Sequence, residues 1–323
     1  MKMNNYTRLE SIDEFRGFAI FMMVIINFLA RANNVPSWLK HAPDIGFTVA
    51  DIVAPMFIFA IGLTYGMSFR KRVEKYGKGK TYSHFFTRYM AIAGIGFFLT
   101  SFGNLTGTYE NSSNWGLLQA IGTAGLITLL FIQFSTKTRA FMGILMLIFY
   151  QFMLNQFWLQ KVLESSHGGL QGSISWGAML ILGTVMADLY HNQNSNRKRF
   201  LFGAIIVLLI GLLLLFFIPI SKNRVSFSYV LVALGLSALI FEIFDYSIKK
   251  FNINISLLSS WGKNPLLIYI LHIFLLGIFV IPPYSWWYTE APILLLLIEI
   301  IGLVGILSWI GIYLDSKKWY FSL

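Results

Sequence analysis

Long apolar stretches separated by short polar ones run along the whole chain. Each stretch is about long enough to cross the hydrocarbon core of a bilayer as a helix, which takes about 20 residues. Unbroken runs of Leu, Ile and Phe, as in 205–217, exclude the alternating strands of a membrane barrel. The pattern predicts an all-α integral membrane protein with about ten transmembrane helices. The predicted spans, of which the third is the shortest, are 14–30, 48–69, 89–103, 116–134, 140–159, 173–190, 200–220, 227–248, 264–282 and 291–314.

The composition supports a membrane location. The chain is 56% hydrophobic and 12% charged, whereas a soluble domain carries about 25% charged residues. No polar segment is long enough for a second domain, so we expect one transmembrane domain over residues 1–323. The first apolar run lacks a signal-peptide cleavage site, and we expect it to stay in the protein. The absence of cysteine excludes disulfides and Cys-bound metals.

The basic residues sort by predicted side of the membrane. With the N-terminus inside, the longest inner loop is 70–88, and the inner segments hold most of the 25 Lys and Arg residues. This asymmetry is the positive-inside pattern, so both termini are expected in the cytoplasm of a multi-pass protein, which in a bacterium means the inner membrane. The net charge of +11 therefore does not indicate a nucleic-acid partner. The predicted outer loops hold Arg31, Lys40, Lys161, Lys222 and Arg224.

Polar residues around the first two spans are the first candidates for chemistry, because polar groups in a membrane are costly and usually functional. Asp13 and Arg16 are three residues apart on the first helix and predict an ion pair. Asn27 lies about three turns beyond Arg16, near the same face at the other membrane end. It is either a helix-packing amide or a site residue.

A histidine and a carboxylate follow the first span. His41 lies in the next loop, and Asp51 lies about one turn into the second span, so the loop can fold the imidazole over the carboxylate. Such a pair would fix one ring nitrogen and leave the other basic, as acyl transfer requires. Alone, His41 is more often a loop residue than a catalyst. Asp51 is harder to explain without a partner, since a lone carboxylate in a bilayer costs several kcal/mol.

Further polar residues lie near the middle of the last spans. His272 and Glu299 can pair with each other or line a polar tunnel. Gln119 and Lys222 add hydrogen-bond donors on the outer side. The five histidines are too scattered to predict a metal cluster, so no metal is expected. By composition alone, a proton-coupled secondary transporter fits these midplane residues as well as an enzyme does; a non-catalytic scaffold fits them less well.

Several motifs together resemble the catalytic domain of the heparan-α-glucosaminide N-acetyltransferase family, within the transmembrane acyltransferase superfamily. The resemblance covers nearly the whole chain and suggests a homologue without the lumenal domain. The motifs are Arg8-Leu9-x-Ser11-x-Asp13-x-Phe15-Arg16-Gly17, Asn27, Lys40-His41-Ala42, Thr48-Val49-Ala50-Asp51 with Pro55, Leu118-Gln119, Leu182-Gly183, the 222–229 segment and Asn264-x-Leu266-Leu267-x-Tyr269-x-x-His272.

The resemblance implies a ten-helix core that moves an acetyl group from cytosolic acetyl-CoA to a sugar amine across the membrane. His41 matches the family's catalytic histidine, and Asn27 matches an amide beside it. We expect His41 to act as nucleophile or as general base, oriented by Asp51, with Asn27 holding the oxyanion. We expect acetyl-CoA near Arg16, Arg88, Lys263, Asn264 and His272, and the acceptor near Trp38, Gln119 and Lys222.

The resemblance favours N-transfer to an amino sugar over O-transfer. The expected partners are acetyl-CoA as co-substrate, a sugar or glycan acceptor and the lipid bilayer. Helix bundles of this size often dimerise, so a homodimer is a further expectation. The outer-loop aromatic residues are either a sugar platform or part of the interfacial belt.

Overall fold

The described part of the chain is helical, as predicted. A computed structural model describes residues 10–105, 115–191, 197–251, 255–280, 282 and 284–321, and none of these forms a strand. Arg8 and Leu9 of the first motif lie outside the described residues. The helices are α1 (Glu10–Leu29), α2 (Val53–Tyr76), α3 (Lys78–Leu105), α4 (Leu117–Phe131), α5 (Thr136–Met153), α6 (Leu159–Leu163), α7 (Gly169–His191), α8 (Arg197–Leu214), α9 (Phe227–Phe251), α10 (Ser256–Lys263), α11 (Pro265–Val280) and α12 (Ile293–Ser316).

Every predicted span lies on one of these helices, but not every helix qualifies by itself as a span. Six described helical segments are long and apolar enough to cross a membrane, and a seventh counts if α10 and α11, which meet at a bend of 93°, form one broken span. Helix α4 has only 15 residues, and α1 carries several charged residues in its first two turns. Ten spans and cytoplasmic termini therefore stay predictions.

The polar stretch predicted as a loop over 70–88 is helical instead. Helix α2 continues to Tyr76 and α3 begins at Lys78, with only Gly77 between them at φ 79°. Lys, Arg and Glu are good helix formers, so helices extend beyond their apolar part into the polar sequence. For the same reason the third predicted span, 89–103, belongs to a helix of 28 residues and is not short.

Helices α1 and α10 cross with their backbones in close contact. A Cβ atom on Gly17 would lie 1.8 Å from the carbonyl oxygen of Leu258, and one on Gly262 would lie 1.8 Å from that of Asp13. No side chain fits at either position. The crossing holds the short helix α10 against the first half of α1, next to the bend before α11.

Gly17→Ala is therefore expected to destabilise the protein. The new methyl group would push the α1 and α10 backbones apart, and overpacking of this kind costs at least about 1–3 kcal/mol. The melting temperature in detergent measures the effect. Gly305→Ala on α12 is the matched control, because nothing lies within 4 Å of a Cβ there. Equal melting temperatures for the two variants would mean that the crossing is looser than described.

Candidate active site

His41 is held by a buried carboxylate at the start of α2. Its Nδ1 donates to Asp51 Oδ1 at 2.8 Å, and Asp51 is 0% exposed. The second oxygen, Oδ2, accepts from the backbone N and side-chain Oγ1 of Thr48 at 2.9 and 3.0 Å, and from Ala42 N at 3.3 Å. An ionised carboxylate can only accept, so the imidazole proton lies on Nδ1 and Nε2 is left as a base.

The local sequence builds this arrangement. Thr48 precedes a 3₁₀ turn, Val49–Ile52, and forms a reciprocal capping box with Asp51. Thr48 Oγ1 also lies 2.7 Å from the carbonyl oxygen of Lys40, so its single hydroxyl proton is shared between this carbonyl and Asp51 Oδ2. Thr48 therefore ties the residue before His41 to the carboxylate that holds His41. From α9, the Tyr229 hydroxyl donates to the backbone carbonyl of Asp51 at 2.8 Å.

A second set of contacts fastens the His41 loop to the loop before α9. Asp44 pairs with Arg224, whose Nε donates to Oδ1 at 2.8 Å, and accepts from Ser221 Oγ at 2.9 Å. The guanidinium of Arg224 lowers the pKa of the Asp44 carboxyl below its usual value. Asn223 Nδ2 donates to the carbonyl of Pro43 at 2.6 Å. We call these contacts the loop clasp; it brings Lys222 to the same wall as His41.

His41 and Lys222 line a cavity of about 330 Å³, here named the His41 cavity. The His41 side chain is 36% exposed, and that part faces the cavity. Burial lowers the pKa of His41 below its usual value, and the nearby Lys222 lowers it further against the opposing effect of Asp51. Burial also lowers the pKa of Lys222, to about 8. The imidazole is therefore uncharged at neutral pH, and its Nε2 can accept a proton.

Asn27 lines the His41 cavity and is bonded to α11. Its Nδ2 lies 3.0 Å from His272 Nε2, which positions the amide on the cavity wall. His272 is 1% exposed and pairs with Asn27 instead of Glu299. In the described part of the chain, neither carboxylate oxygen of Glu299 has a hydrogen-bond partner.

A second cavity of about 430 Å³, the Arg16 cavity, lies at the other end of α1. Arg16 bonds to Asp13 Oδ1 at 3.2 Å, as predicted, and to the Gly262 carbonyl at 3.1 Å. Within the described residues, Arg88 Nε has no hydrogen-bond partner. The basic residues on this cavity wall are Arg16, Lys71, Arg88 and Lys263.

The two cavities adjoin. Both are lined by Leu117, Leu118 and Tyr269, so the start of α4 and the second turn of α11 form a shared wall between them. Helices α1, α3 and α11 contribute to both cavities.

Comparison with known sequences assigns this architecture to a family. The sequence profile described as heparan-alpha-glucosaminide N-acetyltransferase, catalytic, matches residues 8–213. The chain belongs to this family. It is similar to heparan-alpha-glucosaminide N-acetyltransferase from Homo sapiens, 37% identical over 68 residues, and from Mus musculus, 34% identical over 68 residues. Each alignment covers 21% of this chain and 10% of the relative's length.

Membership of the heparan-alpha-glucosaminide N-acetyltransferase family places this chain in a family of membrane proteins named for acetyl transfer. The apolar helices agree with that placement. The matched region contains the His41 loop, Asp51, Asn27 and the cavity-lining parts of α3 and α4. It ends within α8, so Lys222 and His272 lie beyond it.

The site residues expected from the family resemblance fall into groups. His41, Asn27, Gln119 and Lys222 line one cavity, and Asp51 lies directly behind His41. Gln119 uses its amide within the fold, since Nε2 donates to Thr100 Oγ1 and Oε1 accepts from Gly116 N, both at 3.0 Å. Trp38 is 56% exposed and lines neither cavity.

The residues expected to bind acetyl-CoA do not all lie in one place. Arg16, Arg88 and Lys263 line the Arg16 cavity, and Lys263 pairs with Asp315 at 2.7 Å. Asn264 is buried and holds the chain after α12, donating to Trp319 O at 3.0 Å and accepting from Phe321 N at 2.9 Å. His272 lies on the Asn27 side and not among the basic residues.

Sequence reasoning missed His167, which lines the His41 cavity beside Lys222. It is the central residue of a short turn, Ser166–Gly168, that precedes α7. The run Ser166-His167-Gly168-Gly169 carried a usable signal, because consecutive glycines indicate unusual backbone geometry. In the sequence, His167 is only one of five scattered histidines.

Proposed function

We propose that the chain transfers an acetyl group from cytosolic acetyl-CoA to the amine of a sugar on the opposite side of the membrane. The observation that carries the proposal is the His41–Asp51 pair in a cavity that adjoins a second, basic cavity. Family membership supports acetyl transfer as the reaction class. A route between two cavities suits a donor and an acceptor that approach from different sides.

The Arg16 cavity is proposed to hold acetyl-CoA. Its nucleotide end carries phosphates, and Arg and Lys side chains bind phosphate by charge-assisted hydrogen bonds. Arg88 is well suited, since its Nε has no partner among the described residues. The pantetheine arm would then extend past Leu117 and Tyr269, and the thioester would lie next to His41.

His41 is proposed to act as the general base in a complex that holds both substrates. Nε2 takes a proton from the acceptor nitrogen as this nitrogen attacks the thioester carbonyl, and then delivers it to the CoA sulfur. Asp51 keeps the tautomer and stabilises the imidazolium. The Asn27 amide, positioned by His272, would donate to the developing oxyanion. Two cavities allow both substrates to be bound at once, which favours direct transfer over an acetyl-imidazole intermediate.

The sidedness of the donor provides the experimental test. Sealed vesicles of defined orientation are incubated with labelled acetyl-CoA, and label is followed onto an amino sugar. Transfer is expected only when acetyl-CoA is supplied on the cytoplasmic face, and donor binding should weaken as salt rises, since charge holds the phosphates. Transfer from the opposite face alone would overturn the proposal.

A matched pair of arginines sharpens this test. Arg88→Met should raise KM for acetyl-CoA because Arg88 lines the Arg16 cavity. Arg72→Met is the control, since Arg72 lies over the Tyr76 ring at 5.0 Å and lines neither cavity. Equal KM values for the two variants would place the nucleotide elsewhere.

A further inference from the structure

Two turns with left-handed backbone meet at the edge of the His41 cavity. His167 has φ 56°, followed by Gly168 and Gly169 at 76° and 60°, and Val225 has φ 47°. Positive φ is unfavourable for residues with a side chain, and most of all for a β-branched one. The turns also touch, since a Cβ on Gly168 would lie 2.9 Å from Val225 Cγ2.

Hydrogen bonds impose this geometry from outside the turns. Trp176 Nε1 donates to the His167 carbonyl at 3.0 Å, and Ser175 Oγ donates to the Val225 carbonyl at 2.8 Å. Tyr150 donates its hydroxyl proton to the Arg224 carbonyl at 2.8 Å. Strained backbone persists only where the surroundings enforce it, and it collects at functional sites. Here it brings His167 and Lys222 onto one wall of the cavity.

His167 is an imidazole without a role in the transfer described above. It lines the same cavity as His41, and its Nδ1 has no hydrogen-bond partner within the described residues. The charged and titratable groups that face it are Lys222 and His41, both within electrostatic reach, and the phenol of Tyr150 beside Gly168. Burial and the neighbouring Lys222 favour the neutral form of the ring, which is the form that can accept a proton and which will release that proton again readily.

Acetylation of an ammonium acceptor requires the loss of two protons from the nitrogen. An amino sugar arrives largely as an ammonium ion, which cannot attack a carbonyl until it loses one proton. The nitrogen must lose a second proton when it has formed the amide. His41 can take only one of these at a time, and the positive Lys222 on the same wall disfavours an ammonium ion in the cavity.

We propose that His167 is the base that removes the first proton from the acceptor ammonium, while His41 removes the second. This inference rests on the proposed function. The ammonium proton moves to His167, and the free amine forms the N–C bond as the C–S bond breaks. The second nitrogen proton moves to His41 and then to the CoA sulfur. The products are the amide, CoA thiol and one proton, which His167 returns to solvent.

His167→Asn tests the inference. Asparagine tolerates positive φ but offers no base, so the turn is kept and the proton acceptor is lost. Initial rates with glucosamine are measured across pH. His84→Asn is the matched control, since His84 is half-buried on α3 and lines neither cavity.

The rate of the His167→Asn variant is expected to depend on the fraction of acceptor amine that is already uncharged in solution. Its rate should fall about 10-fold for each pH unit below the amine's own pKa and equal the wild-type rate above it, whereas the wild-type and His84→Asn rates stay level until His41 itself titrates. An aminooxy sugar, whose nitrogen is neutral at pH 7, should restore the variant to the wild-type rate.

Three outcomes would overturn the inference while the proposed function stands. One is a wild-type rate that follows the amine's own titration. Another is an His167→Asn profile identical to that of wild type. The last is an equal loss of rate with the aminooxy and amino sugars, which would indicate a structural role. If wild type transfers acetyl to none of these acceptors, the proposed function itself fails.

Discussion

His41→Ala is expected to abolish acetyl transfer and leave acetyl-CoA binding intact. The side chain lies in a loop, is 36% exposed to the cavity and fills no core position, so its loss leaves the fold in place. Removing the general base is expected to reduce the rate by at least about 10²–10⁴-fold. Product formation and acetyl-CoA binding are measured on the same purified protein.

Ile45→Ala provides the control within the same loop, because Ile45 is 58% exposed and lines neither cavity. It should keep the wild-type rate. Near-normal turnover by His41→Ala would show that another residue is the base. Exchange of label between acetyl-CoA and CoA without acceptor, lost in His41→Ala, would instead indicate an acetyl-imidazole intermediate.

Asp51→Asn is expected to lower the rate by about 10²–10⁴-fold, because the ring loses its fixed tautomer and the support for the imidazolium. The pH profile should change as well. Asp51 raises the pKa of His41 through its hydrogen bond and its charge, so its removal lowers that pKa further. The acidic limb of the pH–rate profile should therefore move to lower pH, and the maximal rate should fall.

Lys222→Met should shift the same profile in the opposite direction. Lys222 lowers the pKa of His41, so loss of its charge raises that pKa and moves the acid side to higher pH. Rates are recorded for both variants over pH 4–9. Shifts of the same sign would contradict the described electrostatics.

The sequence predicted the helices well because a membrane helix is set by local hydrophobicity. It also predicted the His41–Asp51 contact, since the two residues are only ten positions apart and Asp51 lies in the first turn of the next helical segment. It did not predict that His272 pairs with Asn27, a contact 245 residues apart that depends on how α1 and α11 pack.

Backbone geometry set a second limit on prediction. The position of His167 depends on two turns that touch, of which Trp176 holds the first through the His167 carbonyl, while Ser175 and Tyr150 hold the second through the Val225 and Arg224 carbonyls. The prediction of an inner loop over 70–88 was wrong for a simpler reason. Charged residues indicate where a helix leaves the membrane, but they do not indicate where the helix ends.

The wall of Leu117, Leu118 and Tyr269 between the two cavities has a consequence for the cell. In the proposed reaction the two cavities open to opposite sides of the membrane, so an open passage at this point would let ions run down the membrane potential. Two leucines exclude ions because a charge passing between them would lose its hydration, yet a neutral thioester loses little. A barrier only a few side chains thick can thus still prevent ions from crossing the protein. An enzyme of this design would acetylate across a membrane that stays energised.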